Sequence, residues 1–399
     1  MDYLDSSVQL ETLVRGIFLI EDITYGSSRE AYVVRYRGKV ILEDTAEAYN
    51  RIAALVEPYK LTPIFRIEED RHVIYLVAAQ PMQKPGRPML NMLLFIVTVL
   101  SVLVSGGLSS FEGELSPNPF TAAMQLITTG WPFAVSLLAI LAAHEFGHYF
   151  AGRAHGVQVT LPFFIPMPFS LLGTMGAFIS MKTIPRNKRV LMDIAVAGPI
   201  AGFIVSIIVI LIGLSLSKLG TIPISFPEGQ GMQMEGNSLI YLVLKYLSFG
   251  EILPRPASFG DASPFLYWLR YFFTGQPRPF GGVDVMIHPV AWAGWAGLLI
   301  TSFNLIPAGQ LDGGHIFQLL FSPKTSRKIF PLIVGILAAL GFVWSGWWLW
   351  AGLLLFFGRV YAEPLDQITP LDKKRKWLGA ISIIIFFLTF IPVPLIMIV

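Results

Sequence analysis

The chain of 399 residues contains no cysteine, which excludes disulfide bonds and any metal site built from thiolate ligands. A bound metal ion must therefore be held by His, Asp or Glu. Charged residues make up only 14% of the chain, against roughly 25% in soluble domains, whereas apolar residues reach 54%. This composition excludes an ordinary soluble enzyme, a disordered chain and a fibrous protein, and it is typical of a polytopic membrane protein.

Targeting and nucleotide-binding signals are also missing. The first residues, Met1 to Leu13, have neither a basic start nor an apolar run, so we expect no signal peptide and no transit peptide. No glycine-rich phosphate loop and no basic patch with interleaved aromatic residues occurs, so we expect no nucleic-acid partner.

Residues 1–82 differ from the rest of the chain, because they are rich in charge and contain no apolar run of spanning length. We predict a small soluble α+β N-terminal domain here, with strands, then a helix over Ala46 to Val56, then strands. A hairpin turn is predicted at Arg37-Gly38. Residues 83–89 contain two prolines and a glycine and are predicted to form a linker.

Beyond the linker, apolar runs predict a polytopic α-helical membrane protein with about six to eight transmembrane helices. The membrane domain is predicted over 90–398, with spans near 90–108, 131–152, 190–216, 285–306, 329–344, 347–361 and 377–398. Segment 217–284 is predicted to be an interfacial loop with two short helices. Lys and Arg concentrate in alternate loops, at 153–189, 307–328 and 362–376, and this bias places these loops and the N-terminal domain in the cytoplasm.

Segment 160–182 is apolar, yet Pro162, Pro166 and Pro168 prevent it from forming a helix. Non-helical backbone persists at membrane depth only where protein covers it or where it lines a cavity. We therefore predict a re-entrant, β-like loop. A loop that lies on the bilayer surface is the alternative.

The second predicted span contains the motif His144-Glu145-Phe146-Gly147-His148. Residues four apart share one face of a helix, so the two imidazoles can bind one metal ion. Glu145 then lies close enough to act as a general base on a water molecule at the metal. Two core histidines with an accidental Glu between them are the alternative, but burying three such groups in a membrane is costly.

A catalytic zinc site usually has three protein ligands, so a third is needed. Asp312 and His315 are close competitors, since both follow the fourth span on the side where His144 and His148 lie. We prefer Asp312, because Gly313-Gly314 can form a bend that turns its carboxylate back into the site. Less well placed candidates are His155, His288, Asp193, Glu112 and Glu114. Of these, Asp193 is predicted to be a helix cap, with a group that supports the metal ligands from behind as the alternative. His155 is predicted to be a polar residue at the membrane interface.

These motifs resemble the site-2 protease family of intramembrane zinc metalloproteases. The resemblance rests on the motif 144–148 and on residues 304–315, whose sequence is NLIPAGQLDGGH. Residues 173–179 and 197–202 match the family pattern more loosely. The long spacing from Asn304 to Asp312 resembles the branch of archaea, bacteria and plastids, and segment 217–284 lacks the strand pattern of a PDZ domain.

The resemblance implies that His144, His148 and Asp312 bind one Zn²⁺ per chain. It further implies Glu145 as the catalytic base and Asn304 as a group that forms a hydrogen bond near the reacting peptide. A substrate-binding strand is implied in the segment that contains Gly173, Thr174, Gly176 and Phe178, where an unwound substrate could pair with the strand edge. Simple hairpin packing is the alternative for that strand.

The predicted function is that of a zinc-dependent intramembrane endopeptidase, which cuts membrane-spanning protein substrates near the cytoplasmic face. Its partners are a transmembrane protein substrate and the lipid bilayer. The alternatives are a membrane metal transporter, which would have polar residues spread along several spans, and a catalytically silent scaffold, which would lack the base or a ligand. Without a PDZ domain, residues 1–82 are the candidate for substrate control.

Overall fold

A computed structural model of the chain describes residues 10–27, 30–79, 86–227, 231–358 and 362–398. Residues 83–85 of the predicted linker and most of the segment Met1 to Leu13 lie outside the described residues.

The N-terminal part is a four-stranded antiparallel sheet with a helix on one face. Its strands β1 to β4 have the order β1-β2-β4-β3 in the sheet. Their bounds, with that of helix α1 between β2 and β3, are β1 Phe18–Tyr25, β2 Val34–Val40, α1 Thr45–Val56, β3 Leu61–Glu68 and β4 Arg71–Ala78. The core between helix and sheet is built from Phe18, Tyr36, Ile52 and Phe65 with their apolar neighbours.

The predicted hairpin turn at Arg37-Gly38 is wrong, because both residues lie inside β2. Gly38 pairs with Ile20 of β1, next to an irregularity in the register of the two strands. A Cβ atom on Gly38 would meet the carbonyl oxygen of Leu19 at 1.8 Å. The glycine thus marks a close approach of two backbones and not a turn.

Residues 364–367 cover the outer edge of β3, which is the last strand of the sheet. The backbone N–H of Phe65 donates to the Leu365 carbonyl (2.9 Å), and that of Gln367 donates to the Phe65 carbonyl (3.1 Å). On its other side this segment contacts residues 185–187, since the Asp366 N–H donates to the Arg186 carbonyl (2.7 Å). Burial raises the pKa of the Asp366 carboxyl, which accepts hydrogen bonds from the backbone of Ile368 and Thr369. The sheet therefore lies on the same side as loops 153–189 and 362–376.

Three helices in the described part of the chain are long and apolar enough to cross a membrane: α2 (Pro88–Ser110), α3 (Pro119–Ala154) and α4 (Lys188–Ser215). This finding fits a polytopic helical protein. Glycine allows α3 and α4 to approach closely, since a Cβ atom on Gly147 would lie 2.7 Å from the Ala197 carbonyl oxygen. The shorter or less apolar helices are α5 Leu239–Phe249, α6 Pro264–Thr274, α7 Pro289–Asn304, α8 Asp312–Phe321, α9 Pro323–Leu340, α10 Gly346–Phe357 and α11 Lys373–Thr389.

The segment predicted to be re-entrant forms a hairpin of β5 (Phe163–Pro166) and β6 (Thr174–Phe178). Polar side chains of α2 bind its non-helical backbone. Asn91 Nδ2 donates to the Leu161 carbonyl (2.8 Å), and Ser101 Oγ donates to the Gly173 carbonyl (2.5 Å). These hydrogen bonds offset the cost of irregular backbone in an apolar environment.

Several predicted spans have different bounds in the structure. The second was predicted to begin near 131, but α3 begins at Pro119, after the cap at Asn118, because Pro132 is accommodated inside the helix. The last helix, α11, ends at Thr389 and not near 398, because Pro392 and Pro394 interrupt the run. Residues Leu395–Ile398 instead form β10, which pairs with β8 (Met232–Glu235). The fourth predicted span begins with β9 (Val283–Met286), which pairs with β7 (Lys218–Thr221), so α7 starts only at Pro289. Segment 217–284 therefore contains strands, contrary to expectation.

A buried charged cluster lies within segment 217–284. Lys245 of α5 is fully buried, with Nζ 3.8 Å from a Glu235 oxygen and 3.6 Å from an Asp284 oxygen. The Tyr241 hydroxyl donates to Glu235 (3.0 Å). The pKa of both carboxyls is raised, because burial has a larger effect than the opposing charge of Lys245. Lys245 is therefore the cation that compensates two carboxylates in the interior of this segment.

We expect Lys245→Met to lower the free energy of unfolding by about 3 kcal/mol, because it leaves two buried carboxylates without a cation. A carboxyl with a raised pKa in the folded chain binds its proton more readily when folded, so stability rises as the pH falls from neutrality. The variant should consequently recover part of its loss at pH 5.5 relative to pH 7.5. Thermal unfolding in detergent at both pH values measures this, with the exposed Lys218→Met as control. Equal losses in the two variants would contradict the prediction.

Candidate metal centre

Helix α3 presents His144 and His148 on the face that packs against α4. Both side chains are buried, and their Nε2 atoms lie 3.2 Å apart. Asp312, the first residue of α8, places Oδ2 3.3 Å from each of these nitrogens. Among the described residues, these three side chains form the group that could hold a metal ion.

The connection between α7 and α8 brings Asp312 to the histidines. It runs from Asn304 at the end of α7 to the start of α8 and turns at Gly309, whose φ is +61°. A Cβ atom on Gly313 would meet the Leu305 carbonyl oxygen at 2.0 Å. Glycine at this position therefore lets the first turn of α8 pack directly on the end of α7.

The spacing of the three donor atoms fits a metal ion. Ligands at roughly 2.0–2.1 Å from a tetrahedral zinc ion lie about 3.3 Å from one another. The Nδ1–H group of His148 donates to the Ile194 carbonyl (2.7 Å), which in the neutral ring leaves the Nε2 atom with a lone pair. A lone pair that faces a carboxylate oxygen is unfavourable unless a cation lies between them, so the donor set is suited to binding one.

Helix α4 holds the two histidines through close contact. A Cβ atom on Gly198 would lie 2.1 Å from His148 Nε2, and one on Gly202 would lie 3.2 Å from His144 Nδ1. Only glycine at 198 leaves room for the imidazole in its present position. Two glycines four residues apart are the sequence signal for such a close helix contact, but this spacing by itself indicates helix packing and not a contact with metal ligands. The contact of Ile194 with His148 could not be predicted from the sequence, because it is made by a backbone carbonyl, which every residue has.

A cavity of about 250 Å³ adjoins the three side chains and is lined by Glu145, Asn304, Phe178 and His315, among others. Glu145 is 5% exposed, and the backbone of Ile179, just after β6, forms a hydrogen bond with its carboxylate. Asn304 Nδ2 lies 3.3 Å from His144 Nε2. A carboxylate, an amide and three potential metal ligands thus face one cavity.

The other candidate ligands are not part of this group of three. His315 lines the cavity, but its Nδ1 atom has no hydrogen-bond partner among the described residues. Burial lowers the pKa of His315, which favours a neutral ring. His288 caps the opposite end of α7, where its Nδ1 atom accepts a hydrogen bond from the Val290 N–H (3.2 Å).

The prediction that Asp193 caps a helix is wrong. The side chain of Asn187 caps α4 by accepting a hydrogen bond from the Val190 N–H (3.0 Å). Asp193 lies in the second turn of α4, with Oδ2 2.9 Å from His155 Nε2. His155, predicted to be an interfacial polar residue, is therefore paired.

The four residues assigned to a substrate-binding strand divide into two groups. Phe178 lines the cavity and stacks on Phe163, with ring centroids 5.4 Å apart. Gly176 has a φ of +100° and open space where a Cβ atom would be. Gly173 and Thr174 lie at the other end of the hairpin, where they contact α2 and β5. The second edge of β6 has no partner strand among the described residues.

The site combines two histidines one helical turn apart with a carboxylate from another helix and a Glu in the same cavity. This arrangement is typical of a metal-dependent hydrolase. The sequence model of Peptidase family M50 matches residues 132–344, just over half of the chain. The chain therefore belongs to this family, that of the site-2 proteases, and the resemblance seen in its motifs is confirmed.

Several chloroplast proteins are similar to this chain. It is 25% identical over 420 residues to the probable zinc metalloprotease EGY2 of Oryza sativa subsp. indica, covering 98% of this chain and 68% of that protein. The EGY2 protein of Arabidopsis thaliana is 26% identical, with 98% and 67% covered. The probable zinc metalloprotease EGY1 of Oryza sativa subsp. japonica is 29% identical, with 76% and 50% covered. No solved structure gives a significant match.

Proposed function

We propose that this protein is a zinc-dependent intramembrane endopeptidase, which hydrolyses peptide bonds of membrane-spanning proteins near the cytoplasmic face. The observation that carries the proposal is the convergence of His144, His148 and Asp312 beside Glu145 in one cavity. The names of the EGY relatives as zinc metalloproteases favour zinc over other metals.

In this proposal His144, His148 and Asp312 hold one Zn²⁺ per chain. When bound, zinc supplies a Lewis acid that polarises the scissile carbonyl and lowers the pKa of water. Glu145, which is outside the ligand group, accepts the proton of the attacking water and returns it to the departing amine. Glu145 is buried and lines the cavity, where the attacking water would lie.

Asn304 acts on the substrate. Its side-chain amide lies next to the ligand group and faces the cavity, so it can form a hydrogen bond to the substrate backbone beside the reacting carbonyl. The unpaired edge of β6 binds the unwound substrate by strand addition, with Phe178 at the cavity and Gly176 two residues before it. Gly173 and Thr174 shape the hairpin and do not contact the substrate.

The cleavage site lies toward the cytoplasm. The basic loops that predict this orientation include 153–189 and 362–376. Loop 362–376 contacts both the N-terminal sheet and loop 153–189, and loop 153–189 connects the ends of α3 and α4 nearest to His148. Water from that side can reach the cavity without crossing the bilayer.

The proposal is tested with purified protein and a test substrate that has a single membrane span. Cleavage should stop after treatment with a metal chelator and return when zinc is added, and the protein should contain about one zinc ion per chain. Zinc without cleavage of any tested span would instead favour the silent scaffold. Zinc movement across vesicles without cleavage would favour the transporter.

A further inference from the structure

A charged junction joins three helices near the metal centre, outside the cavity. Asp193 of α4 has Oδ2 2.9 Å from Nε2 of His155, the residue that ends α3. Arg375 of α11 binds the same carboxylate at two points, with Nε 2.9 Å from Oδ1 and Nη2 2.6 Å from Oδ2. We call these three residues the Asp193 junction.

The junction is directly connected to a metal-ligand candidate through the backbone. Asp193 is followed by Ile194, whose carbonyl oxygen lies 2.7 Å from His148 Nδ1. Two adjacent residues of α4 therefore hold two histidines of α3 that are seven positions apart, or about 10 Å along the helix axis. The hydrogen bond on the second ring nitrogen orients a metal-binding histidine and fixes its tautomer.

The geometry of the junction differs from that of an ordinary surface ion pair. Its side chains are 20–31% exposed, and the Arg375 fork meets the carboxylate with both arms. The cap of α4 at Asn187 and the Arg189 contact with the Pro370 carbonyl (3.1 Å) lie in the preceding turn. Among the described residues of α4, Asp193 is the charged group nearest to Ile194, so it is placed to set the position of that carbonyl.

We propose that Asp193 is a positioning residue of the metal centre. By binding His155 of α3 and Arg375 of α11 at once, it holds α4 where the Ile194 carbonyl orients His148. This inference rests on the proposed metal site, but not on the identity of the substrate.

The test compares Asp193→Asn with the wild type in the full-length protein in detergent. Zinc affinity, measured by competition with a chelator, should fall about tenfold, in the range known for groups that orient metal ligands. The visible absorption bands of the Co²⁺-loaded protein should shift, because they report the geometry of the ligands. In a cleavage assay kcat should fall while KM stays unchanged. Asp193→Glu, which keeps the charge, should restore part of the affinity.

Asp372→Asn is the matched control. Asp372 caps α11 and binds the Arg375 guanidinium at Nη1, and within the described residues its side chain forms hydrogen bonds to Arg375 and to no residue of α3 or α4. Its loss should lower the unfolding temperature without changing zinc affinity or the Co²⁺ spectrum. Unchanged affinity in Asp193→Asn, or an equal loss in Asp372→Asn, would overturn the inference. If the wild-type protein binds zinc but cleaves nothing, the proposed protease activity is wrong. Zinc affinity and the Co²⁺ spectrum would then still decide whether Asp193 positions the metal ligands.

Discussion

Glu145→Gln should abolish measurable cleavage while the protein keeps its zinc. The amide of Gln has nearly the same shape as the carboxylate, but it cannot accept a proton from water, and general-base catalysis contributes about 10²–10⁴ in rate. Zinc should stay bound because the metal-binding group is His144, His148 and Asp312, without Glu145. Cleavage of the single-span test substrate and zinc content are measured on the same preparation.

Glu114→Gln is the control for this change, since Glu114 is exposed in the loop between α2 and α3. It should cleave at the wild-type rate. If Glu145→Gln also cleaved at that rate, another group would be the base. If it lost zinc, Glu145 would belong to the ligand set, and the assignment of Asp312 would have to be reconsidered.

Gly198→Ala should remove metal binding. The new methyl group would lie 2.1 Å from Nε2 of His148, so the imidazole must leave its present position or α3 and α4 must separate. The expected loss of zinc affinity exceeds the roughly 100-fold that outer-sphere changes cause, because a ligand itself is displaced. Chelator competition measures the affinity, and the unfolding temperature shows whether the variant still folds.

Two other glycines give a graded comparison. Gly202→Ala would bring a methyl group to 3.2 Å from His144, which a small shift accommodates, so we expect a modest loss of affinity. Gly335→Ala in α9 has open space around the new atom and should bind zinc normally. Equal affinities in all three variants would show that α4 does not hold the histidines in solution as it does here.

The motif of residues 144–148 was readable without a structure because its geometry is local. Residues four apart meet on any helix, so the pairing of His144 and His148 follows from spacing alone. The α1 helix and the strands around it were likewise predicted from local periodicity and a capping residue. The prolines of segment 160–182 were sufficient to exclude a helix there.

Predictions failed where distant backbone decides the conformation. Gly38 was assigned to a turn, but it serves a close approach of β1, which lies some twenty residues earlier in the chain. The apolar run at the end of the chain was predicted to be helical throughout, yet Leu395–Ile398 pairs with β8 in a segment more than 150 residues away. Pro392 and Pro394 end the helix, but apolar β-strands and short apolar helices have similar compositions, so the partner strand decides the conformation of the residues that follow.

The chemistry of the site required both kinds of information. Local pattern supplied the class of chemistry, because His, Glu and Asp at these spacings are the groups that a cysteine-free metal site needs. The choice between Asp312 and His315 depended on a glycine turn that packs α8 on α7. The contributions of Ile194, Gly198 and Asp193 depended on how α4 packs on α3. They come from a carbonyl oxygen, an absent side chain and an ion pair between distant helices. None of these has a function that can be predicted until the fold shows which residue lies next to it.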